Sequence, residues 1–273
     1  MTAVSPANTA PLPSRDDDYV LLKHAVRDAG ALALASFRKE IGVQRKPDGS
    51  EVSDADLAVN VLLERELRGA RPDYGWLSEE TPDDGERLKR RRVWMVDPID
   101  GTNAFLRHVP EWTVSAALVE DGVPVLGVVF NPARDEFFHA MRGHGAFLNE
   151  APIHVSGQSG LEGARLIASG GLFKKRIWKQ PWPEVQSSWV NSVAYRLALI
   201  AAGKADATVS LSGICEWDLA AAALIVEEAQ GVITNHRGEA LHFNRAVPRY
   251  PSLVASPPQL HAALIERTSR IDL

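Results

Sequence analysis

Cysteine is all but missing from this 273-residue chain. Cys215 stands alone, so no intrachain disulfide can staple the fold, which fits a reducing compartment and an expected place in the cytoplasm. Long apolar runs are missing as well. The longest, Trp112 to Val119 and Val123 to Phe130, fall far short of the ~20 residues that a bilayer span needs, so no membrane partner is expected. Charge of one sign does not prevail: 30 Lys and Arg stand against 35 Asp and Glu, a net charge of −5. That balance argues against charge-driven binding of nucleic-acid polymers or anionic membranes. A small phosphorylated metabolite needs only local positive charge and stays open as a ligand. There is no GxxxxGK[ST] phosphate loop, no GxSxG nucleophile elbow and no HExxH zinc helix. The eight histidines are scattered, so the chemistry is expected to rest on carboxylates.

Residues 1–17 lack the basic start and apolar stretch of a secretory signal. Rich in Pro, Ser, Thr and Ala, they read as a flexible tail. Beyond them, Leu22, Ala25, Val26, Ala29, Leu32 and Ala33 recur at helical spacing. A second helix is expected over Asp54 to Leu67, opened by Ser53 and closed by Gly69 and Pro72. Strands follow at Tyr74 to Ser78 and Val93 to Val96, the latter stopping at Asp97-Pro98. Two more, Trp112 to Glu120 and Val123 to Phe130, meet at Asp121-Gly122, a strong hairpin signal. After Pro152, strands at Arg165 to Ala168, Ala207 to Leu211, Val232 to Thr234 and Leu253 to Ala255 alternate with helices over Ser192 to Ala202 and Trp217 to Ala229. The pattern predicts a mixed α+β and α/β chain: an N-terminal subdomain over 18–155 and a C-terminal one over 156–273.

Acids gather at the ends of these elements. VDPIDGT, Val96 to Thr102, follows a strand, so Asp97 projects outward and Asp100 lies three residues along a tight turn. Two carboxylates held close repel unless a cation sits between them, and hard oxygen ligands suit Mg²⁺, Mn²⁺ or Ca²⁺. The Ile99 carbonyl offers a further ligand, and the Gly101 and Thr102 amides can receive phosphate oxygens. The same string in isolation would only make turns. Its three-residue spacing separates it from the phosphatases whose paired acids stand two apart in DxDGT. Glu216 to Asp218, EWD, opens a helix, where Asp218 also suits a simple cap. Ser53 to Asp56 resembles a capping box, which by itself needs no catalysis. Glu79 and Glu80 close the strand at Ser78. Lys174, Lys175, Arg176 and Lys179, interleaved with Phe173, Trp178 and Trp182, read as a solvated amphipathic surface, or else as a place for a second phosphate and a stacked base.

Taken together and in order, Glu79-Glu80, VDPIDGT and a distant WD followed by Ala-rich sequence resemble the inositol monophosphatase family, over nearly the whole chain. The resemblance implies a layered αβαβα sandwich of the inositol monophosphatase and fructose-1,6-bisphosphatase type. It implies Mg²⁺-dependent hydrolysis of a small phosphate monoester, with two or three ions, Mn²⁺ as a substitute and Li⁺ as an inhibitor. Glu79, Asp97 and the Ile99 carbonyl would hold one ion, and Asp97, Asp100 and Asp218 the next. Asp56 and Thr102, with Glu79, would activate the attacking water. Gly101 and Thr102 would cradle the phosphate, with Asp100 and Asp218 beside the substrate. A homodimer is the implied assembly. Inositol-cleaving members place a ring-contacting glutamate seven residues before the WD aspartate, where this chain has Leu211. Expected substrates therefore run from inositol-like sugar or polyol monophosphates to 3′(2′),5′-bisphosphate nucleotides and histidinol phosphate. A catalytically silent metal-binding relative is the remote alternative.

Overall fold

The computed structural model describes residues 13–47 and 49–273. Ser14 caps the first helix, α1 (Arg15–Ser36), by accepting from the Asp17 amide at 3.1 Å, so Arg15 to Asp17 are helical where the composition suggested tail. Three acids in the first turn favour the positive helix end and explain the earlier start. The first twelve residues of the expected tail lie outside the described residues.

A short hairpin, β1 (Val43–Arg45) and β2 (Glu51–Ser53), leads into α2 (Asp54–Leu63), which continues as a wider π-turn over Glu64–Arg68. Then come β3 (Gly75–Ser78), β4 (Arg92–Asp100), α3 (Thr102–Leu106), β5 (Thr113–Glu120), β6 (Val123–Asn131), β7 (Glu136–Met141), β8 (Ala146–Leu148) and β9 (Ala151–Ile153). Strands β3 to β9 form a seven-stranded sheet in sequence order, antiparallel except for the parallel pair β3–β4. The second half holds β10 (Arg165–Ile167), β11 (Gln186–Ser188), α4 (Val193–Ala201), β12 (Ala207–Ser210), β13 (Ile214–Cys215), α5 (Glu216–Glu228), β14 (Val232–Thr234), β15 (Arg249–Tyr250), β16 (Leu253–Ser256) and α6 (Pro258–Thr268). Five of its strands make a second sheet in the order β11-β10-β12-β16-β14. The closing helix was not anticipated, although Pro258 in its first turn is a standard opening.

Strand alternation explains the layering. On β4, Trp94 and Val96 face α1 and α2, whereas Val93 and Met95 face α4 and α5. The α4–α5 layer is then covered by the second sheet through Ile233, Leu253 and Ala255, and α6 closes that sheet with Leu260 and Leu264. The result is the αβαβα sandwich. Trp112 is fully buried with Phe37 and Phe105 against it, so it is core. Gly127 lets α5 lie directly on β6, since a Cβ there would stand 2.6 Å from the Ala221 carbonyl oxygen. Among the described residues no helix is long and apolar enough to cross a membrane.

Candidate active site

Strand β4 does not stop at Asp97 but runs on to Asp100, and that extension positions both acids. Residues three apart on a regular strand point to opposite faces. Here Asp97 pairs with Ser115 and Asp100 with Thr113, so β4 holds one extra residue between them. This bulge, at Pro98 and Ile99, returns Asp100 to the face of Asp97, and a bulge is where a strand interior tolerates proline. Because β3 runs parallel to β4 with Ser78 beside Val96, Glu79 emerges next to Asp97, and its amide donates to the Val96 carbonyl at 3.2 Å. From the opposite layer, the first turn of α5 brings Asp218, tied by a bond from the Cys215 amide at 3.2 Å.

Carboxylate oxygens of Glu79, Asp97 and Asp218 lie within 4.8 Å of one another. Asp97 is buried, and its Oδ1 has no hydrogen-bond partner. Burial, together with the charges of Glu79, Asp100 and Asp218, pushes the Asp97 carboxyl well above the usual range. Asp218 is raised by burial and by the charges of Asp100 and Glu79, against the bond from Cys215. An orphaned oxygen amid mutually repelling carboxylates fits a hard divalent cation.

Asp100 lines the same cavity but turns toward the start of α4. It accepts from the Ser192 hydroxyl and the Ala194 amide at 2.6 Å each, and from the Val193 amide at 3.1 Å. Burial lifts it to about 6, with those three bonds pulling the other way. Ser192 was legible as a helix start but not as a partner of Asp100; it also caps α4 through the Tyr195 amide at 2.9 Å.

Asp56 caps α2 with one oxygen and turns the other toward Thr102. Its Oδ2 accepts from the Ser53 amide at 2.8 Å and the Ser53 hydroxyl at 2.5 Å, completing the capping box. Its Oδ1 lies 3.2 Å from the Thr102 hydroxyl, which is also 3.1 Å from the Ile99 carbonyl. Burial raises the Asp56 carboxyl although the bonds from Ser53 oppose it. Gly101 sits at φ 96° with the Glu111 carbonyl 2.9 Å from where a Cβ would be, so conformation and space both demand glycine.

Two acids behave differently from their neighbours. Glu216 is fully buried and accepts from the Asn244 amide at 2.7 Å, so it anchors a loop instead of facing the cavity; burial pushes it to about 7 against the bonds from Asn244 and Arg245. Glu80 shares Lys46 with Glu79, at 2.7 and 2.9 Å. Burial works to lower Lys46, but the bonds to Glu80 and Glu79 outweigh it and hold the ammonium above its ordinary value. Lys46 sits between β1 and β2, where no sequence pattern marks it. Phe173, Trp178 and Trp182 pack edge-on in a partly buried cluster against the second sheet.

The cavity these residues line measures about 700 Å³ and adds Arg45, Asn103 and Arg107 to the acids. A layered sandwich with clustered carboxylates at a strand end suits metal-dependent hydrolysis. Comparison with known proteins gives the narrower assignment: the chain belongs to the inositol monophosphatase family, whose sequence model matches residues 15–273. Members of that family are phosphatases that depend on divalent metal and act on small phosphorylated substrates. The chain is 36% identical over 229 residues to the Nus factor SuhB of Xylella fastidiosa, covering 80% of this chain and 82% of that one. It is 36% identical over 210 residues to an inositol-1-monophosphatase of Mesorhizobium japonicum, covering 73% and 77%. Among solved structures, SuhB of Bartonella henselae superposes with a TM-score of 0.80 at 28% identity over 92% of this chain and 98% of that one. An IMPase of Thermotoga maritima gives 0.79 at 28% identity, over 92% and 96%.

Proposed function

We propose that the protein is a Mg²⁺-dependent hydrolase of a small sugar or polyol phosphate monoester. The observation that carries this reading is the convergence of Glu79, Asp97 and Asp218 around the unpartnered Asp97 Oδ1. Asp97, Glu79, the Ile99 carbonyl, Asp100 and Asp218 would hold the ions, with Mn²⁺ as a substitute and Li⁺ as an inhibitor. Bound there, divalent ions neutralise phosphate oxygens, acidify a bound water and stabilise the departing alkoxide. Asp56 and Thr102, 3.2 Å apart, orient a water and take its proton. The Gly101 and Thr102 amides, at the start of α3, receive a phosphate oxygen. Positioning and electrostatics then lower the barrier without a covalent intermediate.

The test is phosphate release from inositol-1-phosphate and p-nitrophenyl phosphate, with and without Mg²⁺, beside calorimetric titration of Mg²⁺. Tight ion binding without turnover of any phosphate ester would leave a silent metal-binding protein and sink the reading. The same proposal includes a homodimer in the cytoplasm, checked by light scattering and cell fractionation.

A further inference from the structure

Arg87 and Glu216 are buried side chains that the ion site does not use. Arg87 lies in a 3-10 turn (Glu86–Lys89) on the segment between β3, after which Glu79 emerges, and β4, which carries Asp97. The turn packs on β3, where a Cβ at Gly75 would stand 3.0 Å from the Arg87 Cα. Every nitrogen of the guanidinium is engaged. Nε and Nη2 donate to the Asp83 carboxylate at 3.1 and 2.8 Å. Nη1 donates to Asn244 Oδ1 at 2.7 Å, and Nη2 also donates to the Arg245 carbonyl at 2.9 Å. Asn244 returns a bond from Nδ2 to the Arg87 carbonyl at 3.3 Å. Its backbone is left-handed, at φ 61°, and its amide and the next both donate to the Glu216 carboxylate, at 2.7 and 3.4 Å. Glu216 opens α5, and its own amide donates to the Pro248 carbonyl at 3.0 Å.

We infer that Arg87, Asn244 and Glu216 are positioning residues, forming a brace that fixes the first turn of α5, and with it Asp218, at a set distance from Glu79 and Asp97. The inference rests on the ion site of the phosphatase reading and adds what holds that site to size. Glu79 and Asp97 come from one sheet, whereas Asp218 comes from the helix layer opposite. With no cation bound, the carboxylates repel across that gap and push the start of α5 outward. Mg²⁺ tolerates little error in the spacing of its ligands, so the gap has to be held. A neutral side chain would cover the start of α5 at less cost than a carboxylate buried on two amides. A carboxylate suits a turn that must be located and not merely covered. At the other end, the planar fork of Arg87 fixes several directions at once.

Calorimetric titration of the whole protein with Mg²⁺ tests the brace. Arg87→Lys keeps the charge but loses the fork. Asn244→Gly keeps the left-handed turn but loses the Oδ1 link. Each should weaken Mg²⁺ binding about tenfold, the scale of a lost outer contact at a metal site. Because both cut one linkage, the double variant should bind no more weakly than either single one. Leu264→Ala truncates the core under α6, on the second sheet. It should lower the urea midpoint and leave Mg²⁺ affinity unchanged. Unchanged affinity in Arg87→Lys and Asn244→Gly, or equal weakening in Leu264→Ala, reduces the network to packing and overturns the brace. A second readout needs no metal. The shift in urea midpoint that Asp97→Asn brings should shrink in the Asn244→Gly background, where the acids are free to separate. If the wild type binds no divalent ion, the phosphatase reading fails and this readout decides alone: an equal shift in both backgrounds rejects the brace.

Discussion

Asp97 is buried with one oxygen unpartnered and with the charges of four acids, Glu79, Asp100, Asp218 and Asp56, acting on it. Asp97→Asn removes a charge that repels its neighbours when no cation is present. The metal-free variant should melt no lower than wild type, while turnover at saturating Mg²⁺ falls by at least about a hundredfold; calorimetric melting and steady-state rates read the two effects. Near-normal turnover would remove Asp97 from the ion site. Elsewhere, His261 is buried between Thr234 and Ser256 hydroxyls, and burial lowers it from 6.5 to about 4. Its folded form stays neutral where the unfolded chain takes a proton. It therefore costs nothing above pH 6.5, and stability erodes as pH falls from there toward 4. A His261→Gln variant should show a flatter fall in denaturation midpoint across that window.

At the level of elements, packing and capping make the cavity. Gly127→Val would drive its side chain into the α5 backbone and should cost about 2–3 kcal/mol, read by urea unfolding. Ser53→Ala removes an α2 cap worth about 1 kcal/mol and also frees Asp56 from its bond at 2.5 Å. Its rate loss should therefore exceed what its modest stability loss accounts for; a rate equal to wild type would reduce Ser53 to a cap. Helices α1, α2, α4 and α5 and the Asp121-Gly122 hairpin were legible because their signals are local: periodicity, caps and a turn dipeptide. The continuation of β4 through Asp97-Pro98 was not, because proline reads as a stop unless the partner strand reveals a bulge. The acids themselves were legible by type and order. The turn of Asp100 toward Ser192 was not, since it joins residues 92 apart in sequence.

For the whole molecule, the middle layer of α4 and α5 contributes its apolar faces to both sheets. We propose that 18–155 and 156–273, although separable by sequence pattern, unfold as one unit. Thermal unfolding should show a single transition, coincident by circular dichroism and tryptophan fluorescence. Two separated transitions would mean that the shared layer does not couple them. That coupling was invisible in the sequence because Ala-rich α5 has no polar face to betray which side it buries; from Leu219 to Val226 it is buried all round.

The supernumerary residue in β4 also governs how this gene can vary. Loss of that one codon would restore plain alternation and leave the two acids, then two apart, on one side, but it would remove the bend that carries the second of them to Ser192. The length of the stretch is thus held by reach and not by side.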